Sequence, residues 1–225
     1  KDSLRFHFQD LDQPQITSGH QAESPFIPAS LTKIFTAVYA LKKLGPDYRY
    51  RTQLYTKGRL NKKNGEFTGD IILKGSGDPS LTMARLMDLV LELRSFGVKT
   101  LKGNFYYDDS ILPSIPMLSE FGNGDQTYNP GISALNLEYN RITLYKDARQ
   151  TKKAVFQTIP STGHFFVQKE AKSFKNGQRF QFLAGATGET WAVSTKERYR
   201  QFEDIPVRKP SKRTAYSFKT LAELW

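Results

Sequence analysis

Ser30 and Lys33 stand three residues apart in Pro28-Ala29-Ser30-Leu31-Thr32-Lys33, where a helical periodicity begins. Residues three apart lie on one face of a helix, so a serine in the first turn and a lysine at i+3 bring Oγ and Nζ together. Such a pair supplies a nucleophile and a base: a neutral amine takes the hydroxyl proton as the oxygen attacks. A lysine is neutral near pH 7 only where burial or neighbouring positive charge pulls its pKa down from the ordinary value of about 10.4. Backbone N–H groups at a helix start favour the negative charge that develops on the attacked group. Ser-x-x-Lys is a loose pattern, and serine is an ordinary helix N-cap. The pair gains meaning from what surrounds it.

The elements that must position the pair are read from periodicity. Leu31, Ile34, Phe35, Val38, Leu41 and Leu44 recur at spacings of three and four, and Gly45-Pro46 ends the run. This stripe predicts a helix buried in a core, with Ser30 and Lys33 at the core edge. Ahead of it, Phe6, Phe8 and Ile16 flank a polar, proline-containing stretch and predict a short antiparallel pair. Thr52 to Leu60 and Thr68 to Leu73 read as strands around Lys63-Asn64-Gly65. Leu81 to Phe96 reads as a helix with Ser80 as N-cap, and a strand near Leu101 to Tyr107 completes a βαβ unit. Residues 141 to 195 carry aromatic and β-branched runs (Val155-Phe156, Phe165-Phe166-Val167, Phe180 to Leu183, Trp191 to Val193) and read as a small β module. Phe202 to Lys209 reads as a linker around Pro206, and Tyr216, Leu221 and Leu224 predict a last helix after Pro210.

Five segments, in order, carry a family resemblance. They are Pro28 to Lys33; Leu44-Gly45-Pro46-Asp47-Tyr48-Arg49-Tyr50-Arg51-Thr52; Gly69-Asp70-Ile71-Ile72-Leu73-Lys74-Gly75-Ser76-Gly77-Asp78-Pro79-Ser80-Leu81; Gly97 to Gly103 with Asp108-Asp109-Ser110; and Tyr128-Asn129-Pro130 with Ser133 to Asn140. Together they resemble the penicillin-binding protein 4 type of D-alanyl-D-alanine carboxypeptidase and endopeptidase, the peptidase S13 family, well over residues 20 to 140 and weakly beyond. The resemblance implies an α+β fold: part of a discontinuous serine β-lactamase/transpeptidase-like domain, with a large inserted α/β region and a nested β-rich module. It divides the chain into 1–48 (catalytic domain), 49–206 (insert, with the module at about 141–195) and 207–225 (a return segment).

The same resemblance implies that Ser30 attacks the carbonyl between two D-alanines of a peptidoglycan stem peptide with Lys33 as base, and that β-lactams acylate Ser30. It places the protein in the periplasm or cell-wall space. The family also uses a Ser-x-Asn and a Lys-Thr-Gly motif, and neither occurs in these 225 residues; Lys99-Thr100 and Lys219-Thr220 are each followed by leucine. Losing an oxyanion donor alone costs about 3 kcal/mol of transition-state stabilisation. Turnover is therefore expected to need a missing C-terminal segment as partner. The alternative is a non-catalytic peptidoglycan- or partner-binding module on that scaffold. Asp108 and Asp109, at the end of a predicted strand, are similar in position to an acidic segment at the family's active-site rim; Asp108 is a candidate for the free amine of a stem peptide. Equally, an aspartate there accepts local backbone hydrogen bonds in a turn.

Composition adds exclusions. The formal charge is +11, with short basic clusters at Lys62-Lys63, Lys152-Lys153 and Arg208-Lys209 with Lys212-Arg213. These read as solvated surface rather than a nucleic-acid site. There is no cysteine, hence no disulfide or thiolate chemistry. His7, His20 and His164 are dispersed and read as surface residues, with no metal or cofactor expected. Gly75-Ser76-Gly77-Asp78-Pro79 lacks a phosphate loop's lysine and hydroxyl and reads as a tight turn. No run is long and apolar enough to span a membrane.

Overall fold

A computed structural model describes residues 4–118, 125–146, 156–159, 163–174, 178–185 and 188–224. The chain forms two compact units, Lys1–Arg49 and Tyr50–Trp225.

In the first unit, β1 (Phe6–Gln9) pairs antiparallel with β2 (Thr17–His20), Phe6 opposite His20 and Gln9 opposite Thr17. Asp10 shapes the connection, its Oδ1 accepting from the backbone N–H groups of Asp12 and Gln13. A 3-10 turn at Ala29–Leu31 then leads into α1 (Thr32–Leu44). Gly45, at φ +82, stops the helix in a conformation that disfavours other residues, and Lys42 and Lys43 complement its C-terminal dipole. The helix is where its periodicity placed it, but no residue of α1 is buried: Ile34 is 60% and Phe35 75% exposed. The expected core around α1 is therefore absent from this unit. A stripe specifies which face is apolar, whereas burial needs a covering element, and one short strand pair supplies none.

The second unit opens with the hairpin of β3 (Gln53–Asn61) and β4 (Glu66–Lys74), with Gly65 at φ +75 in its turn. After α2 (Met83–Ser95), the chain returns parallel to β4 in two pieces, β5 (Thr100–Lys102) and β6 (Phe105–Asp108). The single strand expected near Leu101 to Tyr107 is thus split, at Gly103. A Cβ on Gly103 would collide with the carbonyl oxygen of Gly69, so only glycine allows the chain this close. The helix cap also differs from expectation. Thr82 accepts from Arg85 N–H, while Ser80 is engaged by Asp78, to whose Oδ1 its N–H and hydroxyl donate at 2.9 and 2.7 Å. Glu138 reaches in to accept from the N–H of Met83 at 2.8 Å, placing a carboxylate at the helix N-terminus.

The β module holds two three-stranded sheets. One runs β12-β7-β8, with β7 Arg141–Lys146, β8 Phe156–Ile159 and β12 Phe202–Pro206; the other runs β10-β11-β9, with β9 Phe165–Glu170, β10 Phe180–Ala184 and β11 Glu189–Ser194. Ile142, Leu144, Phe165, Phe180, Trp191, Val193, Ile205 and Val207 form its core. The stretch read as a linker around Pro206 is therefore a strand, pairing Ile205 with Ile142. Pro206 is tolerated because it ends an edge strand, where its missing N–H breaks no ladder. Lys152-Lys153 and Val155 lie outside the described residues.

Pro210 opens α3 (Pro210–Leu224), as its preset φ favours. Phe218 stacks on Phe105 with centroids 5.2 Å apart, and joins Leu73, Leu86, Val90, Leu135 and Leu137 in a second core between sheet and helices. Leu86→Ala, which empties a fully buried site, is expected to cost about 2–5 kcal/mol. Leu91→Ala, on the exposed face of the same helix, is expected to stay within about 0.5 kcal/mol. Urea unfolding followed by tryptophan fluorescence separates the two.

Candidate active site

The pair read from the sequence comes together. Lys33 Nζ donates to Ser30 Oγ at 3.3 Å. The local backbone explains the alignment: residues 29–31 form a 3-10 turn, in which positions i and i+3 eclipse, before the chain relaxes into α1. Leu31 N–H bonds to the Pro28 carbonyl at 2.9 Å and Thr32 Oγ1 to the Ala29 carbonyl at 2.8 Å, so the turn is tied on both sides of Ser30. Ala29 has φ +44, a left-handed conformation that costs a non-glycine residue about 1–2 kcal/mol. Such strain concentrates where a backbone must aim a side chain. Ser30 and Lys33 are both exposed. Proton transfer to the amine needs the neutral base and exclusion of water; this unit provides the spacing without the enclosure.

Asp108 belongs to the second unit, at the end of β6 opposite Lys74. Its Oδ1 accepts from Ser110 N–H at 3.0 Å and Ser110 Oγ at 2.6 Å; its Oδ2 lies 3.4 Å from Lys74 Nζ. The hydrogen bonds from Ser110, joined by the Lys74 ammonium, hold the carboxyl below the usual aspartate value. Asp108 thus makes the local turn that its type favours, and it retains a half-exposed carboxylate.

Sequence reading missed a buried polar junction. Arg208 and Arg213, read as solvated surface charge, are 2% and 0% exposed. Arg208 pairs with Asp125 at 2.7 Å and donates to the Pro116 carbonyl at 3.1 Å. Glu189 accepts from the backbone N–H groups of Arg208 and Lys209 and from Trp191 Nε1, and burial pushes its carboxyl up. Arg213 donates to the Leu137 carbonyl; burial pulls its pKa down to about 10, opposed by Glu138 and Glu189. Positive charge beside Pro210 reads as surface in one dimension. It becomes interior because Arg208, just ahead of α3, and Arg213, on α3, meet carbonyls and a carboxylate supplied by distant segments. His164, expected at the surface, is also buried, its ring stacked on Tyr216 at 4.5 Å. Among the described residues no group of three or more His, Cys, Asp and Glu is placed to hold a metal ion, and no helix is long and apolar enough to cross a membrane.

The structure is a mixed α+β fold that brings Ser30 and Lys33 into hydrogen-bond contact at a helix start. The sequence model of the D-Ala-D-Ala carboxypeptidase 3 (S13) family matches residues 2–180, and the chain belongs to that family. It is 32% identical over 112 residues to the D-alanyl-D-alanine carboxypeptidase DacB of Haemophilus influenzae, covering 50% of this chain and 23% of the relative. It is 33% identical over 115 residues to the D-alanyl-D-alanine carboxypeptidase of an Actinomadura species, covering 50% of this chain and 21% of the relative. The fold matches penicillin-binding protein 4 (dacB) from Haemophilus influenzae with a TM-score of 0.70 at 22% identity, over 88% of this chain and 46% of that one. A second structure of that protein, complexed with a novel β-lactam, matches with a TM-score of 0.65 at 21% identity, over 95% of this chain and 48% of that one. The chain thus spans about half the length of the solved relatives, and its matched segment less than a quarter of the curated ones.

The folded Asp108 carboxyl titrates below the unfolded one, so the turn adds stability above the ordinary aspartate pKa and loses it as pH falls through the lowered value. NMR titration of the Asp108 carboxyl is expected to give a midpoint below 3.8, returning toward 3.8 in Ser110→Ala.

Proposed function

We propose that these residues are the nucleophile-bearing portion of a serine D-alanyl-D-alanine carboxypeptidase or endopeptidase acting on peptidoglycan stem peptides. The observation that carries this reading is the 3.3 Å hydrogen bond from Lys33 to Ser30 in a chain of the S13 family. Ser30 Oγ attacks the carbonyl carbon between two D-alanines while Lys33 takes its proton. The terminal D-alanine leaves, and water hydrolyses the acyl ester on Ser30. A β-lactam carbonyl is attacked in the same way, its ring nitrogen leaving while staying tethered. Asp108 is the proposed partner of a cationic amine on the stem peptide. Residues 1–48 serve as part of the catalytic domain, 49–206 as its insert and 207–225 as a return segment, in a protein working in the periplasm or cell-wall space.

A second reading, favoured by the exposure of Ser30, Lys33 and the α1 stripe in residues that carry neither Ser-x-Asn nor Lys-Thr-Gly, is a non-catalytic peptidoglycan- or partner-binding module on the same scaffold. A fluorescent penicillin tests both readings. The 225-residue chain is expected to stay unlabelled, while a protein that continues through both motifs is labelled on Ser30, as mapped by peptide mass. Ser30→Ala is expected to abolish labelling, and Lys33→Ala to slow acylation at least about 100-fold. Labelling that persists in Ser30→Ala overturns the reading.

A further inference from the structure

Strand β3 ends its sheet. It pairs with β4 along one side, and among the described residues no strand pairs with its other side. Every second residue of such a strand turns its N–H and C=O outward, a row that an added extended chain completes. Proteins often shorten a bare edge or break it with proline, yet β3 runs for nine residues without one. Beside it lies a groove of about 310 Å³, lined by Thr52, Gln53, Leu54 and Thr56 from the strand and by Leu89, Glu92, Leu93 and Phe96 from α2. The four α2 residues fall at i, i+3, i+4 and i+7, so one face of the helix runs along the groove. Phe96 is 68% exposed, and Thr52 Oγ1 is buried with no hydrogen-bond partner among the described residues.

The two faces of β3 carry different charge. On the α2 side, Leu54 joins the core and Glu92 is the charged residue of the groove. The opposite face holds Tyr55, Lys57 and Arg59, all exposed. Lys74 Nζ lies over the Tyr55 ring at 6.0 Å, and Lys57 stands across from Asp70. Arg59 stands across from Thr68, so no carboxylate on β4 answers it. We propose that β3 is the docking edge for an extended partner peptide in which apolar and acidic residues alternate. The peptide backbone completes the ladder, its apolar side chains enter the groove, and its carboxylates lie beside Arg59 and Lys57. A slip of one residue exchanges the faces and sets carboxylates against Glu92, so the charges hold the register. A second copy is the poorer occupant: antiparallel self-pairing of β3 lays Lys57 and Arg59 of both strands on one face, where like charges repel. This docking is independent of acyl transfer at Ser30.

Fluorescence polarisation of a labelled hexapeptide alternating valine and glutamate, titrated with the 225-residue chain, tests it. Saturable binding is expected, with amide hydrogen exchange slowed in β3. The counterpart alternating valine and lysine is expected not to bind. Two further peptides are N-methylated, one on each alternate set of amides; only one set faces β3, so one of them is expected to lose binding and the other to keep it. Arg59→Glu and Phe96→Ala are each expected to weaken binding about fivefold, the first through charge and the second through the groove wall. Both side chains are exposed, and an unchanged urea midpoint by tryptophan fluorescence checks the fold. Absence of binding overturns the proposal. Equal affinity of the two N-methylated peptides, or undiminished affinity in Arg59→Glu, overturns it as well. A dimer by light scattering with β3 amides protected in the absence of peptide assigns the edge to a second copy, which also overturns it.

Discussion

The second unit depends on a buried charge junction between β12 and α3. Arg208 lies over the Trp191 ring at 5.6 Å and pairs with Asp125, while Glu189 gathers the N–H groups that lead into the helix. Buried charges cost several kcal/mol each unless paired and hydrogen-bonded, so the junction tolerates one arrangement and penalises the rest. Its three parties come from a loop, the β module and the approach to α3. Satisfying them fixes where the module ends and where α3 begins. Once α3 is placed, Phe218 covers Phe105 and the sheet gains its second helix.

A second constraint meets the first at residues 138–140. Glu138, Tyr139 and Asn140 all take positive φ near +50, a left-handed turn that costs non-glycine residues about 1–2 kcal/mol each. The compensations are specific. Glu138 caps α2 through Met83, and Asn140 donates at 2.7 Å to both the Gly131 carbonyl and Asn136 Oδ1. Leu135 and Leu137, fully buried on the same segment, wedge between α2 and α3, and Arg213 holds the Leu137 carbonyl from the helix side. The family-like stretch Ser133 to Asn140 is therefore a packing wedge whose polar residues hold a strained turn.

The first unit stands in contrast. Ser30 and Lys33 are paired there by strictly local means, a 3-10 turn, a left-handed alanine and a helix start. No long-range contact is needed for that, and for the same reason the pair lacks the dry surroundings that acyl transfer demands.

Features of short range were legible in the residues: the Ser30 and Lys33 spacing, α1 and α2, the β3–β4 hairpin, and the β1–β2 pair set by Phe6, Phe8 and Ile16. Each depends on i, i+2, i+3 or i+4 relations that a linear pattern encodes. The tertiary structure alone decided that Arg208, Arg213 and His164 lie inside, that Phe202–Pro206 is a strand, that Thr82 rather than Ser80 caps α2, and that nothing in its own unit covers the apolar face of α1. Those outcomes turn on which distant element covers a face or answers a charge. The same residues read identically in sequence whether or not that partner is present.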